Sequence, residues 1–377
     1  MWRPSSRGAG FLRLLSDTDD RGVARDSSDK IVASRHLFPP STVRPRTNIK
    51  TQNSTHRFAP QHIMKSIGIF PGSGGLGGST YDYLLKLLPA DHIILINRHP
   101  DRVPQDHIKN GVRARKASYE SSPADLEAVF SGIEVLFLIS YPSHVHDYRR
   151  KVQLPAIDAA RRAGVKHIFY SSLAFGGDLG DSSLAEVMQA HLDSERHLAE
   201  AAASDPGFTY TAVREGLYSE SYPIYTAFFD VNAPTDEVLI PHDGSGPGVA
   251  WVKRAELGEA TAKLMAQYSW DPDHFPHVNS KVLLTGPRVW SLAETVAVLG
   301  RAAGRPGVRI VKVDVDEYVR LPQVLARFGS PDKARTWATA WRAIEAGETA
   351  VVTDTLREII GRDPEEFDVT IQRLRQR

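Results

Sequence analysis

A glycine-rich segment constrains the fold of this chain more than any other feature. Residues 67–78 read IGIFPGSGGLGG, an apolar run followed by five glycines within seven residues. Ile67, Ile69 and Phe70 suit a buried strand, and apolar residues recur at helical spacing from Thr80 onward. A glycine turn between a strand and a helix N-terminus presents backbone N–H groups and the helix dipole to an anion. The segment therefore predicts a phosphate-binding turn.

Two glycine registers fit this segment at once. Gly72, Gly74 and Gly77 give the spacing G-x-G-x-x-G, and Gly72, Gly75 and Gly78 give G-x-x-G-x-x-G. A glycine-rich hairpin or linker is the alternative. The strand and helix patterns on either side favour the dinucleotide-binding turn.

Composition places the chain among ordinary globular proteins. Of its 377 residues, 41% are hydrophobic and 24% are charged, with a formal net charge of +1. No basic stripe stands out in the part that we expect to fold, so nucleic acid is not expected as a partner. No apolar run reaches the ~18 residues of a membrane span, so the expected protein is soluble. The absence of cysteine removes disulfides, thiolate metal sites and cysteine nucleophiles.

Residues 1–63 differ from the rest of the chain. They hold eleven Lys and Arg against five Asp, with little apolar periodicity, and we expect them to form a disordered extension. The first sixteen residues carry arginines and lack acids, as a mitochondrial transit peptide does, but an acidic cluster follows at once. We prefer a true start at Met64, which makes the preceding segment a gene-model extension and the expected location cytoplasmic.

From Met64 onward, strand and helix patterns alternate. Ser122-Pro123 marks one helix start, and Ser183-x-x-Glu186 predicts a capping box at another. This order is typical of an α/β fold with a Rossmann-type doubly wound parallel sheet, whose ligands bind at the carboxyl ends of the strands. The predicted strands are Ile67–Phe70, Ile93–Ile96, Val112–Ala117, Val135–Ile139, His167–Tyr170 and Tyr210–Val213.

The pattern loosens beyond Tyr218. Helix and strand signals still occur, as at Arg254–Tyr268 and after the capping box Ser291-Leu-Ala-Glu294, but we expect none of them to extend the sheet. The predicted organisation is an NAD(P)-binding Rossmann domain over residues 64–217. A smaller C-terminal α/β substrate lobe over residues 218–377 then packs on it.

The residues after the second predicted strand indicate which dinucleotide is bound. NAD-specific folds place an Asp or Glu there to bond both ribose hydroxyls. This chain has Asn97-Arg98-His99 instead, so no carboxylate repels a phosphate. Arg98 can bond the 2′-phosphate of NADP, with Arg102 nearby, although a solvated surface arginine is the alternative. The pattern favours NADP as cofactor, with NADPH preferred.

The usual acid of short-chain dehydrogenases is missing. Those enzymes carry Tyr-x-x-x-Lys on the helix after the fifth strand, yet no tyrosine here has a lysine four residues on. The corresponding helix places His191 in the tyrosine slot and Glu195 in the lysine slot, on one face. His191 is a candidate proton donor because the ordinary pKa of histidine lies near ~6.5. A His–Glu surface pair without chemistry is the alternative.

Several linked motifs resemble the NmrA-like group of atypical short-chain dehydrogenase/reductases, particularly its quinone-oxidoreductase-like members. The matching segments are PGSGGLGG, NRHPDR after the second strand, AGVKHIFYSS at the fifth, His191-x-x-Ser-Glu195, REGLYSESY after the sixth, VLLTGP followed by SLAET, and IIGRDPEEF. The resemblance covers residues 64 to 370. It implies NAD(P) binding, in a group that divides into reductases and redox-sensing regulators with little or no turnover.

The resemblance also implies roles for individual residues. Tyr218 and Tyr222 would line the substrate side, and they join His191 as candidate catalytic residues, although packing aromatics are the alternative. The cofactor would bind through the glycine turn, Arg98 and residues past the fourth and fifth strands. The implied cofactor-binding residues are Gly72, Ser73, Gly75, Leu76, Gly77, Gly78, Arg98, Ser140, Tyr141, Pro142, Ser171 and Ser172.

Two features narrow the chemistry. Leu173–Leu192 contains no lysine, so the catalytic lysine of the ether-reductase branch has no counterpart and benzylic ether reduction is disfavoured. His144 and His146 are two residues apart, but no third ligand converges on them in the sequence, and we expect no metal site.

Two functions fit these observations. The first is an NADPH-dependent oxidoreductase that transfers hydride to an electrophilic small molecule such as a quinone, enone, ketone or imine. Its proton would come from His191, Tyr218, Tyr222, a serine-bound water or solvent. The second is an NADP(H)-sensing regulatory protein without turnover, which would act on a protein partner. The missing Tyr-Lys pair favours the sensor and the tyrosine-rich segment Tyr218–Tyr225 favours the reductase, which we prefer.

Overall fold

A seven-stranded parallel sheet forms the centre of the computed structural model, which describes residues 64–376. The disorder predicted for residues 1–63 lies outside the described residues. In chain order the strands are β1 Ile67–Phe70, β2 Ile93–Asn97, β3 Arg113–Lys116, β4 Val135–Ile139, β5 His167–Leu173, β6 Thr209–Glu215, β7 Glu237–Ile240, β8 Ser280–Leu284 and β9 Arg309–Lys312.

The glycine turn lies at the carboxyl edge of the sheet, beside the place where the strand order reverses. Seven strands pair in the order β3-β2-β1-β4-β5-β6-β8. The chain therefore reverses direction across the sheet between β1 and β4, and ligands of doubly wound sheets bind at the carboxyl ends beside such a reversal. The predicted α/β fold with a doubly wound parallel sheet is confirmed.

Helices cover both faces of the sheet. In chain order the helices are α1 Gly75–Leu87, α2 Gln105–Lys109, α3 Pro123–Phe130, α4 His146–Arg162, α5 Glu186–Ser204, α6 Tyr222–Tyr225, α7 Arg254–Trp270, α8 Leu292–Ala302, α9 Val315–Tyr318, α10 Pro322–Phe328, α11 Pro331–Glu345, α12 Thr355–Ile360 and α13 Phe367–Arg375. On one face α1 and α7 pack against each other, and their apolar residues share a core with Ile69 and Phe137. On the other face α3, α4 and α5 pack in series, with Leu136 and Ile168 in their core.

The expectation that no segment beyond Tyr218 extends the sheet is wrong. β8 pairs in parallel with β6, from Ser280 opposite Thr211 to Leu284 opposite Glu215. The connection runs through α7, which packs against α1 and buries most of its residues. β8 is the edge strand of the sheet, yet its apolar end is buried on both faces, because helices cover both faces of a parallel sheet.

A third core, the C-terminal core, is formed mostly by residues that follow β6, with a few from α5 and the loop before it. β7 and β9 form a two-stranded parallel sheet, and the largest buried side chains around it include Trp251, Trp337 and Trp341. The division of the chain into domains near residue 218 stays a prediction.

Two of the three predicted helix starts are capped as expected. Ser122 accepts the backbone N–H of Asp125 at 3.1 Å, and Ser291 forms a capping box with Glu294. Both signals are local, since donor and acceptor lie within one turn of the same helix.

The third predicted cap, at Ser183, is wrong. α5 begins at Glu186 without a side-chain cap, and the Ser183 hydroxyl bonds the Glu348 carboxylate instead. Glu348 also accepts the backbone N–H groups of Gly176 at 3.0 Å and Leu184 at 2.7 Å. A distant carboxylate therefore fixes the loop that follows β5.

None of the helices between residues 64 and 376 combines the length and the apolar composition that crossing a membrane requires.

Candidate active site

The glycine turn joins the end of β1 to the start of α1. Gly72 donates its N–H to the Ile96 carbonyl at 3.0 Å, and Gly74, with φ of 94°, stands just before the first helical residue. A Cβ atom at Gly77 would lie 2.5 Å from the Pro71 carbonyl oxygen. Glycine is therefore required where α1 approaches β1 most closely.

The start of α1 fits a pyrophosphate. Among the residues that the structure describes, no side chain caps this helix and none of its first-turn residues is acidic. A Cβ atom at Gly78 would meet nothing within 4 Å, so the turn is open on that side. Leu76 contributes only its backbone, because its side chain is buried in the core, whereas Ser73 is exposed. The unsatisfied N–H groups form an anion site.

Arg254 extends this positive region. It is the first residue of α7, and its guanidinium carbon lies 2.2 Å from where a Cβ atom on Gly75 would stand. α7 is held there by close packing on α1, since a Cβ atom at Gly258 would lie 2.5 Å from the Ser79 hydroxyl. Glu220 accepts the backbone N–H of Arg254 at 3.1 Å. The guanidinium therefore lies against the turn that would bind the pyrophosphate.

The end of β2 presents two arginines beside the turn. Arg98 and Arg102 are exposed, and neither forms an ion pair within residues 64–376. Asn97 is buried, and its Oδ1 lies 3.3 Å from the Cβ position of Gly72 without a hydrogen-bond partner in the described chain. The site thus offers two cations and one buried acceptor to the adenosine end of a dinucleotide.

Residues Ser140, Tyr141 and Pro142 follow β4 and are all half-buried. Tyr141 donates its backbone N–H to Gln153 Oε1 at 2.8 Å, and its ring contacts Tyr119 and Tyr148 edge to face. These contacts fix the segment at the carboxyl edge of the sheet, next to the strand reversal.

The two serines that were expected to follow the fifth strand lie within it. β5 continues to Leu173, and consecutive residues of a strand point to opposite faces. Ser172 points to the α5 face and donates to Glu195 Oε1 at 2.6 Å. Ser171 points to the α1 face, which also carries the glycine turn. Only Ser171 of this pair is directed toward the cofactor side.

Glu195 and Arg214 form a buried ion pair between α5 and β6. Arg214 donates Nε and Nη2 to the two carboxylate oxygens at 2.9 and 2.6 Å, and the side chains are 0% and 5% exposed. Arg214 also donates to the Gly180 carbonyl at 2.8 Å. Both Glu195 oxygens are therefore engaged by Arg214 and Ser172 within the fold, which gives Glu195 a structural role.

His191 belongs to a second buried network. Its Nε2 lies 2.6 Å from Arg149 Nη2 and its Nδ1 lies 3.2 Å from the Tyr170 hydroxyl. Since arginine only donates, Nε2 carries no proton. Burial, with the charges of Arg149 and Arg214, holds the pKa of His191 well below its ordinary value. Both ring nitrogens are engaged in the protein interior, which argues against His191 as the proton donor.

Glu215 and Tyr218 form a polar pair at the carboxyl end of β6. The Tyr218 hydroxyl donates to Glu215 Oε2, and Glu215 is 1% exposed. Burial raises the pKa of Glu215 to about 8, against the lowering influence of the Tyr218 and Ser171 hydroxyls. Burial and the Glu215 carboxyl also hold the pKa of Tyr218 well above its ordinary value. The cluster lies on the same face as the glycine turn.

Tyr222 does not join this cluster. Its side chain is buried in the C-terminal core, among residues such as Ile224 and Phe229. Burial, with the charge of Asp230, raises the pKa of Tyr222 to about 12. The four-residue spacing from Tyr218 therefore does not bring the two hydroxyls to one site.

The histidines considered for a metal site diverge. His144 is buried against Phe328, and His146 Nε2 bonds Asp193 at 2.7 Å. Burial and the nearby cations Lys333 and Arg149 lower the pKa of His144 to about 4. Over residues 64–376, no three His, Cys, Asp or Glu side chains cluster as metal ligands would.

Comparison with known proteins places the chain in a family. The family model described as NAD(P)H-binding matches residues 72–235. The chain is 31% identical over 296 residues to an NmrA-like family domain-containing oxidoreductase of Aspergillus flavus, covering 78% of this chain and 89% of that protein. The chain belongs to the NmrA-like family. The resemblance indicated by the linked motifs is thus confirmed, and this NmrA-like protein is an NAD(P)H-binding oxidoreductase.

Two further relatives share most of the NmrA-like fold. Quinone oxidoreductase 2 of Escherichia coli is 31% identical over 242 residues, covering 63% of this chain and 75% of that protein. The crystal structure of triphenylmethane reductase of Citrobacter sp. with NADP(H) has a TM-score of 0.65 and 25% identity, covering 82% of this chain and 99% of that chain. Both relatives are reductases.

Glu215 and Arg254 were missed by sequence reasoning. Glu215 had one local signal, because it is an acidic residue two positions after the predicted strand Tyr210–Val213. Arg254 had none, since its position over the turn depends on α7 folding back onto α1. Both residues enter the site through the tertiary fold.

Proposed function

We propose that this NmrA-like protein reduces an apolar, electrophilic small molecule with NADPH as cofactor. The observation that carries the proposal is the pair Tyr218–Glu215, a half-buried phenol and a buried carboxyl on the sheet face that bears the glycine turn. A protein that only bound the dinucleotide would need the turn and the arginines but no such pair.

The residues that would hold the cofactor lie along the carboxyl edge of the sheet. The N–H groups of the glycine turn, together with Arg254, would bind the pyrophosphate, and Arg98 with Arg102 would bind the 2′-phosphate. Ser140, Tyr141 and Ser171 would border the nicotinamide ribose. NADPH, when bound there, supplies hydride to the acceptor.

Tyr218 is the proposed proton donor. Its raised pKa keeps the phenol protonated at neutral pH, so it can donate to the oxygen or nitrogen of the reduced acceptor. Tyr218 is partly exposed, whereas Tyr222 and His191 are buried elsewhere. Of the three candidate residues, we therefore propose Tyr218 alone as the proton donor.

Quinones head the proposed acceptors, followed by enones, ketones and imines. Relatives named quinone oxidoreductase and triphenylmethane reductase support an apolar, conjugated electrophile. The competing function is NADP(H) sensing without turnover. It is supported by the structural roles of His191 and Glu195, which occupy the slots of the missing Tyr-Lys pair.

A turnover assay separates the two functions. Purified protein is mixed with NADPH, and the loss of nicotinamide absorbance is followed with quinones, enones, ketones and imines. We expect steady oxidation with at least one quinone or another conjugated acceptor. Tight NADPH binding without oxidation across the whole panel would instead support the sensor.

Arg98→Asp is expected to change the dinucleotide preference. The substitution removes a charge-assisted hydrogen bond of about 1.5–3 kcal/mol, so the Kd for NADPH should rise ~10- to 100-fold. Repulsion between the new carboxylate and the 2′-phosphate should add to this loss. The Kd for NADH should change little, because NADH has no 2′-phosphate. Titration by nicotinamide fluorescence measures both values, with Arg113→Asp on exposed β3 as the control. Equal losses for the two cofactors would contradict the role of Arg98.

A further inference from the structure

Glu215 is a buried carboxyl group at the end of β6, next to the proposed proton donor. Its Oε2 accepts the Tyr218 hydroxyl. Its Oε1 is buried and has no hydrogen-bond partner among the described residues. A buried carboxylate without a cation is costly, and a neutral carboxylic acid is the usual way in which a protein avoids that cost.

None of the described side chains forms an ion pair with Glu215. Ser171 faces it from β5, and Leu284 lies opposite it on β8. Arg214, the neighbouring residue of β6, points to the other face and is paired with Glu195. The charges that act on Tyr218 besides Glu215 are Arg254 at the start of α7 and Glu220.

We propose that Glu215 supplies the proton that Tyr218 passes to the reduced acceptor. This inference rests on the proposed reductase function. As the acceptor carbon gains hydride, the electron pair of the reduced double bond moves to its oxygen or nitrogen. With Glu215 neutral, its proton lies on Oε2 and is donated to the Tyr218 oxygen, so the Tyr218 O–H is directed at the acceptor. The acceptor atom takes this phenolic proton, while Tyr218 takes the carboxyl proton of Glu215. Glu215 is left as a carboxylate that accepts the Tyr218 hydrogen bond, and solvent restores its proton.

This relay replaces the lysine that the chain lacks. An ammonium group stabilises a tyrosinate, whereas a neighbouring carboxylate does the opposite. A Tyr218 phenolate is a stronger base than the Glu215 carboxylate, so it takes the carboxyl proton as its own proton leaves. Burial raises the pKa of Glu215 to about 8, so the carboxyl is protonated at pH 7. Proton transfer is most efficient when the pKa of the acid lies near the working pH, and this pKa does.

The pH dependence of kcat tests the relay. With Glu215 protonated at low pH, kcat should be constant below about pH 8 and fall above it. Glu215→Gln keeps the shape but has no acidic proton, so kcat at pH 7 should fall about 10²-fold and the alkaline limb should disappear. Glu215→Asp should retain the limb at a reduced rate. The matched control is Glu256→Gln, another buried carboxyl of raised pKa, which pairs with Arg362 and should keep the wild-type profile.

An infrared titration tests the proton on Glu215 without turnover. The carbonyl band of a protonated carboxyl should be present at pH 7, decline through about pH 8, and be absent from Glu215→Gln. A carboxylate at pH 7 would overturn the relay, even if the protein proves to be a sensor. In a protein that turns over, wild-type kcat with an unchanged alkaline limb in Glu215→Gln would also overturn it, while leaving the reductase function intact.

Discussion

Glu195→Ala is expected to lower the free energy of unfolding by about 3–5 kcal/mol. The substitution leaves Arg214, which is 0% exposed, without the carboxylate that now accepts two of its N–H groups. It also removes the acceptor of the Ser172 hydroxyl. Since whole domains are stable by only about 5–15 kcal/mol, this one change removes a large share of the stability.

Urea unfolding followed by circular dichroism measures this loss. The control is Glu127→Ala, which breaks an exposed ion pair with Arg162 and should cost less than about 1 kcal/mol. The double variant Glu195→Leu/Arg214→Met removes both charges and should recover part of the loss. Similar small losses for Glu195→Ala and Glu127→Ala would refute a structural role for the buried pair.

Tyr218→Phe is expected to lower kcat by about 10²- to 10⁴-fold, the range for loss of a general acid. The ring is kept, and only the hydroxyl that donates to Glu215 is removed. The Kd for NADPH should stay within a few-fold of wild type, because the cofactor contacts proposed for the glycine turn and the arginines are unchanged. Stopped-flow and steady-state assays with the best acceptor measure the two quantities.

Tyr222→Phe is the matched control for this prediction. It removes the same atom from a tyrosine of the C-terminal core, so kcat should remain within a few-fold of wild type. Equal losses in the two variants would show that the hydroxyls act through general packing. Unchanged rates in both would leave solvent as the proton source.

Local sequence signals predicted the strands and the glycine turn on the side of the site where the cofactor is proposed to bind. β1 and β4 have the predicted bounds, and the glycine turn lies between β1 and α1 as the pattern indicated. These features depend on residues close together in the chain, where periodicity and turn chemistry act. The family resemblance rested on the same local motifs.

Contacts between residues far apart in the chain account for the predictions that were wrong or incomplete. The Ser-x-x-Glu signal at residue 183 is genuine in pattern, but a carboxylate 165 residues away takes the serine hydroxyl. His191 looked accessible beside Glu195, yet Arg149 reaches it from a helix 42 residues earlier. β5 is three residues longer than predicted, so Ser171 and Ser172 lie within the strand. Because side chains alternate along a strand, the two serines point to opposite faces of the sheet.

Hydride transfer itself is tested most directly with NADPH that carries deuterium at C4 of the nicotinamide. The protein, the labelled cofactor and the best quinone or enone acceptor are mixed, and the product is analysed by mass spectrometry. For an enone, where the new C–H bond does not exchange, the account predicts one deuterium in the product from one C4 epimer of the cofactor and none from the other. Saturating cofactor binding with no labelled product from any acceptor would contradict the reductase function.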